Sequence, residues 1–549
     1  MKRFIACALL LLAAPAAAEQ VTLTVLYTSD LHANVLPWDD VRQSRLDGSI
    51  AQVARLVDRL RADNPCTVVL DGGDAIGGTA LAYYALTDPD PNALDPTVAA
   101  MNAVGYDAAV LGNHEFDFGL PPLRRAIRQS RFPWLAANLG GSDPETVAVS
   151  PELTLERCGV RVAVLGLTNP NVPHWSLPER WRGLEFEDPL QVAARRLPEL
   201  RRRADLVIVV AHTGFERDLA SGAEQGSDNE NFAWRLAQLP GIDLLLTGHT
   251  HRAIPPRSFA RTVIAQPGRF GESVTRVDLE LSPSQAGWQV ARWRGDNLPT
   301  AAEAPQAAVI AAVESDHTKL VAELARPLGE LTGTLTTGGV PTSDDAGLDL
   351  VHAAQLAATG AQLSLASPLA SRPLTFPAGP MTPRLAHALY PYPNTLVLVR
   401  LSGSQLKDVL EHAVSGWSAV RCEPAGGPTL LRDPAVPSYA YDTLEGATYI
   451  VDPAAANGQR IRGLRVDGRV VAPEDSFTVA INSYRAAGGG DFPHLRTAER
   501  IGRTDRFMVE VLIRYLERTR ALTPTASDNW AFTIPLGQAV APRTPLTTP

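Results

Sequence analysis

The chain has 549 residues, several times the roughly 100–150 of one typical domain, and this length predicts two large domains. Hydrophobic residues make up 45% of the chain and charged residues 20%, so extended disorder is not expected except at the ends. The formal net charge of −9 argues against a general surface for nucleic acid. An anionic substrate would have to be attracted by a local site.

The first residues have the layout of a secretory signal peptide. Lys2 and Arg3 precede an apolar stretch, and three alanines at positions 16–18 form a small-residue cleavage site. The stretch is shorter than the ~20 apolar residues that span a bilayer, which argues against a transmembrane anchor. We therefore expect residues 1–18 to be removed and the protein to be exported, without an anchor, to the periplasm.

Three cysteines follow this segment, Cys66, Cys158 and Cys422. Because their number is odd and they are far apart, they predict neither a disulfide framework nor a cysteine-based metal site. At most one disulfide bond can form within the chain.

Five short apolar strands in the first half end in polar residues of the kinds that bind metals. The segments are VTLTVLYTSDLHAN, TVVLDGGD, AAVLGNHEFD, DLVIVVAHTG and IDLLLTGHTH, which carry Asp30 and His32; Asp74; Asn113, His114 and Asp117; His212; and His249 and His251. Helical segments separate the strands, which predicts an α/β sheet whose strand ends meet at one edge. One cluster alone is weak support, since a histidine at a strand end is commonly structural. Five in order predict a shared site, because unpaired buried polar groups are costly.

This series of motifs, D-x-H, G-G-D, G-N-H-E, H and G-H-T-H, resembles the calcineurin-like metallophosphoesterases, and the remaining chain resembles the secreted 5′-nucleotidase group within them. The resemblance implies a centre of two metal ions. By motif position, Asp30, His32 and His251 would hold one ion, Asn113, His212 and His249 the second, and Asp74 would bridge the two.

The resemblance also implies the fold, which is of the α/β class. It predicts an N-terminal metallophosphoesterase β-sandwich flanked by helices, a linker helix, an α+β C-terminal nucleotidase domain and a flexible tail, at 19–300, 301–327, 328–536 and 537–549. The sequence indicates the linker helix independently, because apolar residues recur at helical spacing between Pro305 and Pro327. They are Val309, Val313, Leu320 and Leu324.

The chemistry of these side chains supports a two-metal centre without the resemblance. Imidazole, carboxylate and amide-oxygen ligands together suit Zn, Mn, Co or Fe, and fit a pure Ca or Mg site poorly. Two such ions about 3.5–4 Å apart polarise a phosphoryl oxygen and activate water for in-line attack. The ligand set therefore predicts hydrolysis of a phosphate ester.

The stretch VLGNHEFDFG has further roles in this interpretation. His114 would stand beside the metals and donate a hydrogen bond or proton to the phosphoryl or leaving oxygen. Asp117, three residues on, would orient its ring, as the His-Asp pair of the family does. A helix-start residue is the alternative for Asp117. For Glu115 we expect a structural role.

The second half contains three distinctive pieces, LYPYPNTLVLVRLSGSQLKDVLEHA, PSYAYDTLEGATYIVDP and INSYRAAGGGDFPHL. They resemble the nucleotidase C-terminal domain, in which two aromatic side chains sandwich the base of the substrate. By motif position these would be Tyr484 and either Tyr441 or Tyr439. Stacking suits any base and contributes about 1–3 kcal/mol per contact. The alternative is that the tyrosines are core residues and that the glycine run is a flexible turn.

Two departures from the 5′-nucleotidase pattern bear on the substrate. The N-G-G-[IV]-R motif is replaced by LSLASPLASRP, so the arginine that would clamp phosphate is missing from its place, and Arg372, Arg384 and Arg485 are possible substitutes. The glycine loop reads G-G-G-D-F, which shifts Asp491 by one position. Together with LYPYPNT, these features favour the 2′,3′-cyclic-nucleotide 2′-phosphodiesterase/3′-nucleotidase branch over a 5′-nucleotidase/UDP-sugar hydrolase.

We therefore expect a periplasmic, monomeric enzyme that uses two divalent metal ions to hydrolyse small-molecule nucleotides and binds no nucleic acid polymer. Two other functions stay open. A related two-metal enzyme could cleave a sulfur-linked substrate, but the aromatic pair argues against it. A nucleotide-binding protein without catalysis would need neither the Asp74 bridge nor His114.

Overall fold

The computed structural model describes residues 20–141, 147–225, 229–285, 287–337, 343–369, 373–421, 428–433 and 436–533. The expected signal peptide, the expected tail, Arg372 and Cys422 lie outside these ranges. Within the ranges, every helix is too short or too polar to traverse a lipid bilayer.

Two six-stranded sheets form the first half of the molecule. Their strands are, in chain order, β1 (Val21–Thr28), β2 (Thr67–Asp71), β3 (Ala108–Val110), β4 (Trp134–Leu135), β5 (Glu152–Arg157), β6 (Val160–Leu167), β7 (Leu206–Ala211), β8 (Leu244–Thr247), β9 (Ala253–Phe259), β10 (Thr262–Pro267), β11 (Ser273–Ser284) and β12 (Gly287–Pro299). The first sheet has the order β12-β11-β1-β2-β3-β4 and the second β9-β10-β8-β7-β6-β5. Strands β1 to β4 are parallel to one another, as are β6, β7, β8 and β10.

The two sheets face each other and enclose one core. Leu23, Val25 and Tyr27 of β1 point into this core, which they share with Val164 and Ile208 of the second sheet. Side chains along a strand alternate between its two faces, so the intervening residues point outward. The predicted β-sandwich is confirmed.

Helices cover both outer faces of the sandwich. They are α1 (Ile50–Asp63), α2 (Ala80–Thr87), α3 (Pro96–Val104), α4 (Leu120–Gln129), α5 (Val172–Trp175), α6 (Pro189–Arg203), α7 (Ala233–Leu236) and α8 (Ala307–Leu324). The first sheet packs against α1 to α4 and α8, and the second against α6 and α7. The four apolar residues predicted for the linker helix are all buried, and α8 packs into the same core as α1 and α3.

The second half combines helices with a mixed sheet. Its helices are α9 (Ala346–Thr359), α10 (Pro383–Leu389), α11 (Gly403–Ala413), α12 (Ser483–Ala487) and α13 (Met508–Thr519). Its longer strands are β13 (Leu363–Ala366), β14 (Thr395–Ser402), β15 (Thr443–Glu445), β16 (Ala447–Val451), β17 (Ile461–Val466), β18 (Ser476–Asn482), β19 (Glu499–Phe507) and β20 (Trp530–Phe532). The five-stranded sheet has the order β15-β13-β18-β14-β19, and Arg469–Val470 joins β17, β16 and β20 in a smaller sheet. The predicted α+β architecture of this half is confirmed.

Short strand pairings complete the structure. They join Trp38–Asp39 to Ser44–Arg45, Leu139–Gly141 to Leu184–Phe186, Leu335–Thr337 to Leu374–Phe376, Trp417–Arg421 to Pro428–Arg432, and Gly329–Leu331 to both Gly379–Met381 and Ala521–Leu522.

The second half docks on segments that directly follow β1 and β2. Tyr83 of α2 packs edge-on against Phe507, with ring centroids 5.8 Å apart, and its hydroxyl donates to Glu510 at 3.2 Å. The Arg384 Nε donates to the carbonyl of Asp40 at 2.9 Å. The second half therefore faces the edge of the first sheet at which β1 and β2 end.

A disulfide bond joins the two sheets of the sandwich. It links Cys66, just before β2, to Cys158, in the turn between β5 and β6. Both cysteines precede strands that run toward the polar clusters. The bond therefore lies at the opposite end of the sandwich from those clusters.

Candidate metal centre

The polar residues predicted at five strand ends converge on one place. Strands β1, β2 and β3 are parallel neighbours in the first sheet, and β7 and β8 are parallel neighbours in the second, so their carboxyl ends meet. Two groups of donor atoms result, each lying within 4.8 Å: Asp30, His32 and His251 in one, and Asp74, His212 and His249 in the other. The first group contains the three residues predicted for one ion, and the second contains His212 and His249, predicted for the other ion, with the predicted bridge Asp74.

Five of these residues have left-handed backbone conformations, with φ of 54° at Asp30, 46° at His32, 53° at Asp74, 68° at His249 and 58° at His251. Side chains other than glycine rarely adopt this region, and residues held there cluster at functional sites. The turns after the strands thus bend the chain so that each donor faces the gap between the sheets.

Two histidines of the first group turn their Nε2 atoms toward the same point. His32 Nδ1 lies 3.1 Å from the carbonyl of Gly77, to which it donates, so its Nε2 carries the lone pair. That Nε2 lies 3.0 Å from His251 Nε2. Burial lowers the pKa of His32 to about 4, which favours the neutral imidazole that binds metals. A cation can be shared by both nitrogens.

The second group contains buried atoms that lack hydrogen-bond partners among the described residues. His212 Nδ1 donates to the carbonyl of Gly72 at 2.7 Å, which leaves Nε2 as the acceptor. This Nε2 makes no hydrogen bond, although it lies 3.0 Å from Asp74 Oδ2, and the buried Asn113 Oδ1 has no partner either. Buried polar atoms are normally paired, so these electron pairs fit a bound cation.

Electrostatics at the second group favour positive charge. Burial would lower the pKa of His212, but attraction to Asp74 raises that pKa to about 9. Burial would likewise raise the pKa of Asp74, yet His212 and His114 hold it well below its usual range. The Asp74 carboxylate therefore stays ionised and holds a positive charge beside it, whether a proton or a metal ion carries that charge.

His114 and Asp117 form a pair beside these groups. Asp117 Oδ2 lies 2.6 Å from His114 Nδ1, which donates to it, and the His114 ring contacts His32 edge-on at 5.2 Å. Burial would lower the pKa of His114, but Asp117 and Asp74 raise it to about 10. Helix α4 begins at Leu120 with Gly119 as its cap, so Asp117 is not a helix-start residue.

Glu115 holds the turn that carries Asp74. Its buried carboxylate accepts hydrogen bonds from the backbone amides of Asp74, Ala75, Ile76 and Gly112, at 2.6 to 3.2 Å. This is the structural role expected for Glu115. Burial, with the like charge of Asp74 nearby, raises its pKa to about 7.

Two glycines let the backbone approach the carboxylates of the site. A Cβ on Gly112 would collide with the side chain of Asp74, and a Cβ on Gly248 with Ser29 and Asp30. The small residues before N-H-E and H-T-H are therefore required by close packing.

Sequence patterns missed three residues that surround the histidines. The Trp175 ring stacks on His249, Glu230 Oε2 lies 3.6 Å from His249 Nε2, and the Ser29 hydroxyl donates to Asp30 at 2.6 Å. Trp175 and Glu230 lie outside the strand-end motifs, on connections whose course the sequence does not reveal, whereas Ser29 lies within the segment VTLTVLYTSDLHAN. For Ser29, its position directly before Asp30 was an available signal.

Tyr439 and Tyr484 lie together in the second half, with ring centroids 6.3 Å apart and planes at 87°. The rings touch edge to face, so one must turn before a base can stack between them. Burial and the Tyr439 hydroxyl raise the pKa of Tyr484, and the charge of Glu230 adds to the rise. Glu230 is thus near both the tyrosines and His249.

Tyr441 lies in the core of the second half. Its ring is 1% exposed and packs against Trp417 at 5.2 Å, and its hydroxyl points toward the carbonyl of Gly416. The prediction of Tyr441 as a base-stacking residue is therefore wrong, and Tyr439 is the exposed alternative.

The glycine loop is ordered by packing. A Cβ on Gly489 would collide with the Tyr484 ring, so the glycine lets the aromatic ring lie on the backbone. Arg485 is buried and donates to Asp442 at 2.7 Å and to the carbonyl of Gly489 at 3.0 Å. Since Arg485 is engaged in these bonds, it does not replace the missing phosphate arginine. Arg384 is half-buried, and its Nε donates to the backbone carbonyl of Asp40.

Comparison with protein families gives the same division as the fold. Residues 23–253 match the model of the calcineurin-like phosphoesterases, and residues 327–497 match that of the 5′-nucleotidase C-terminal domain. The chain is a calcineurin-like metallophosphoesterase with a 5′-nucleotidase C-terminal domain. It is therefore a phosphoesterase whose cofactors are two divalent metal ions.

Individual relatives are consistent with the two family models. The chain is 28% identical to the 2′,3′-cyclic-nucleotide 2′-phosphodiesterase/3′-nucleotidase of Salmonella typhimurium, over 87% of this chain and 83% of that protein. It is also 28% identical to the trifunctional nucleotide phosphoesterase protein YfkN of Bacillus subtilis over 94% of its own length, but spans only 39% of YfkN. A 5′-nucleotidase precursor from Thermus thermophilus has the same fold, with a TM-score of 0.67 at 22% identity over 94% of this chain and all of that one.

Proposed function

We propose that this metallophosphoesterase hydrolyses nucleotide phosphate esters at a metal pair held by the seven predicted ligands. The observation that carries the proposal is that two buried atoms at the strand ends, Asn113 Oδ1 and His212 Nε2, have no hydrogen-bond partner among the described residues and can each offer an electron pair to a metal ion. Asp30, His32 and His251 hold one ion in this proposal, Asn113, His212 and His249 the other, and Asp74 contributes to both. Two divalent ions so placed would polarise the phosphoryl group and activate water.

The residues of the chain itself supply the remaining chemistry. The raised pKa of His114, about 10, keeps both ring nitrogens protonated, so Nδ1 donates to Asp117 and the Nε2 proton lies on the side of the ring away from that carboxylate. Protonated His114 can stabilise the phosphoryl oxygen or pass a proton to the leaving oxygen. Asp117 is a positioning residue in this proposal, since it fixes the ring.

We propose that the second half selects nucleotides through Tyr439 and Tyr484. Glu230, whose charge acts on Tyr484, lies 3.6 Å from the proposed ligand His249, and this supports a base stacked beside the metal centre. Among nucleotides, 2′,3′-cyclic and 3′-nucleotides are the proposed substrates, ahead of 5′-nucleotides. The departures in the arginine and glycine motifs support this order, as does the name of the Salmonella relative.

We propose that the enzyme works as a monomer in the periplasm. The signal-like first residues support export, and the Cys66–Cys158 disulfide suits an oxidising compartment.

A substrate panel tests the proposed specificity. Hydrolysis of 2′,3′-cyclic AMP and 3′-AMP should exceed that of 5′-AMP and UDP-glucose, as followed by released phosphate or nucleoside. Preference for 5′-AMP or UDP-glucose would instead assign the chain to the 5′-nucleotidase/UDP-sugar hydrolase type. Hydrolysis of a thiosulfonate ester with no nucleotide turnover would overturn the proposal in favour of a sulfur-linked substrate.

Metal analysis tests the ligand set directly. Dialysis against a chelator should abolish activity, and Mn²⁺, Co²⁺ or Zn²⁺ should restore it together with two bound ions per chain. Asp74→Asn should lower the occupancy of both ions, because the bridging carboxylate serves both. One stable ion in fully active enzyme would contradict the paired centre.

A further inference from the structure

We propose that Trp175 is a positioning residue that holds the His249 imidazole in its metal-binding orientation. The inference rests on the proposed function, since it takes His249 as a ligand of the second ion. Trp175 belongs to none of the ligand motifs and lies 74 positions from His249 in the sequence.

The two rings form a tilted, offset stack. Their centroids lie 5.3 Å apart and their planes differ by 28°. The edge of His212 meets the His249 ring from a second direction, with centroids 5.3 Å apart and planes at 65°. Trp175 and His212 therefore together limit rotation of this imidazole about its Cβ–Cγ bond.

The backbone of His249 is fixed separately from its ring. Its amide donates to both carboxylate oxygens of Asp30, at 3.0 and 3.1 Å, and its φ of 68° lies in the left-handed region. These bonds place the Cα but leave the side-chain torsions free. The stack on Trp175 constrains them, together with the edge contact of His212.

Helix α5, which carries Trp175, is itself held from several sides. Four residues are too few for a helix that is stable alone, so its place must come from tertiary contacts. Val172 is buried in the core of the first half. His174 Nε2 lies 3.1 Å from Asp491 Oδ1 of the glycine loop, and Arg496 Nη1 lies 3.2 Å from His174 Nδ1.

Neighbouring residues of α5 thus reach two parts of the molecule. Trp175 lies on a proposed ligand, and His174 lies on the loop that follows Tyr484. The shifted aspartate of the G-G-G-D-F loop is the residue that makes this second contact. The docked second half therefore supports the position of the indole above the metal centre.

The test measures binding of Mn²⁺ alone, by metal analysis after equilibrium dialysis over a range of free Mn²⁺. In Trp175→Ala, one of the two ions should bind about 10- to 100-fold more weakly, as is usual when a residue that orients a metal ligand is lost. The other ion should keep its affinity within about twofold. Trp175→Phe should restore most of the lost affinity, because an aromatic ring can still stack.

Trp181→Phe is the matched control. Trp181 lies six positions further along the same connection, and its indole donates to the carbonyl of Ser176 rather than stacking on a proposed ligand. This variant should bind both ions as the unaltered protein does. If Trp175→Ala does not fold, Trp175→Leu keeps an apolar side chain larger than alanine without the aromatic face and should show the same selective loss.

His249→Ala separates failure of this inference from failure of the proposed function. If it leaves Mn²⁺ binding unchanged, His249 is not a ligand and the proposed ligand set is wrong. If it weakens one ion while both Trp175→Ala and Trp175→Leu weaken neither, the ligand set stands and Trp175 has no positioning role. Combining Trp175→Ala with His249→Ala should weaken that ion no further than His249→Ala alone.

Metal binding should also be visible in the emission of Trp175. The difference in fluorescence between the unaltered protein and Trp175→Phe should change as Mn²⁺ fills the metal position to which His249 contributes. If this fluorescence difference stayed constant as Mn²⁺ was added, Trp175 would not be stacked on a metal-bound imidazole.

Discussion

At the scale of single residues, the site is marked by buried side-chain atoms that have no hydrogen-bond partner among the described residues. These atoms are His212 Nε2 and Asn113 Oδ1. Hydrogen bonds from the Nδ1 atoms of His32 and His212 to backbone carbonyls orient both rings, and they turn His32 Nε2 toward His251 Nε2 at 3.0 Å. The residue types and their places at strand ends could be predicted from sequence. The left-handed backbone that aims them could not, because it depends on how the turns pack.

His114→Asn tests whether His114 acts in the transition state. Since its Nδ1 donates to Asp117, the other side of the ring is the one that can serve the reacting group. Asparagine retains polarity but cannot supply a proton, so kcat should fall by on the order of 10²-fold or more. Metal analysis should still find two ions, and Asp117→Asn should show a smaller fall in kcat. Unchanged kcat in His114→Asn would remove His114 from the mechanism.

Tyr484→Ala and Tyr439→Ala test the proposed base contact. Each should lower kcat/KM for nucleotides by about 10- to 100-fold, corresponding to roughly 1–3 kcal/mol of lost stacking. The loss should appear mainly in KM, because stacking holds substrate in both ground and transition states. Tyr441→Phe serves as the control, since this ring lies in the core and should change kcat/KM little.

A chromogenic aryl phosphate distinguishes base binding from structural damage. It has no nucleobase, so its hydrolysis should survive in both alanine variants. A parallel loss on this substrate would show that the tyrosines stabilise the fold, and no loss on either substrate would place the base elsewhere.

At the scale of elements, the turns after the strands are held by residues outside the ligand set. Glu115 binds four backbone amides of two turns, and Gly112 and Gly248 permit close approach to Asp74 and Asp30. These supports explain why the motifs extend beyond the ligands themselves. G-N-H-E contains a proposed ligand, a proposed proton donor, a glycine required by packing and a carboxylate that fixes the neighbouring turn.

Glu115→Gln tests this support. A glutamine offers one acceptor oxygen and turns N–H donors toward backbone N–H groups, so the turn at residues 74–76 should loosen. We expect metal affinity to fall by about 10-fold, as for other residues that orient metal ligands. Glu185→Gln, on an exposed strand position, should leave metal affinity and melting temperature unchanged. Equal metal affinity in the two variants would limit Glu115 to a role unrelated to the metals.

Prediction from sequence succeeded for regular elements and failed where the chain turns irregularly. The strand ends and α8 could be predicted from the spacing of apolar residues, because those residues are the ones buried in the core. Tyr439 and Tyr441 are two positions apart, a spacing that would put both on one face of a strand. A short 3-10 helix at Ser438–Ala440 breaks that pattern, so one ring is exposed and the other is buried.

At the scale of the whole molecule, the proposed function needs both halves in contact. All the proposed metal ligands lie in the sandwich, while the tyrosines come from the second half. Contacts such as Tyr83 with Glu510 and His174 with Asp491 hold the halves together beside the site. The sequence indicated two domains but not these contacts, because pairs so distant in the chain leave no local pattern.

The disulfide bond provides a prediction that separates stability from catalysis. It closes a loop between cysteines 92 positions apart and joins the two sheets away from the metal ligands. Loss of so long a closed loop should reduce the free energy of unfolding by about 3–4 kcal/mol. In Cys66→Ser combined with Cys158→Ser, the melting temperature of the sandwich should fall by about 6–12 °C, as measured by calorimetry.

Activity and reduction complete this test. Because the bond lies at the opposite end of the sandwich from the ligands, kcat at a temperature well below melting should stay within about twofold of the unaltered value, as expected for distant independent sites. A reductant should lower the melting temperature of the unaltered protein and leave that of the double variant unchanged. Cys422→Ser, which retains both bonded cysteines, should melt like the unaltered protein. If Cys422→Ser instead reproduced the loss of stability, or if the double variant lost its metals, the bond would not have the separate structural role assigned to it.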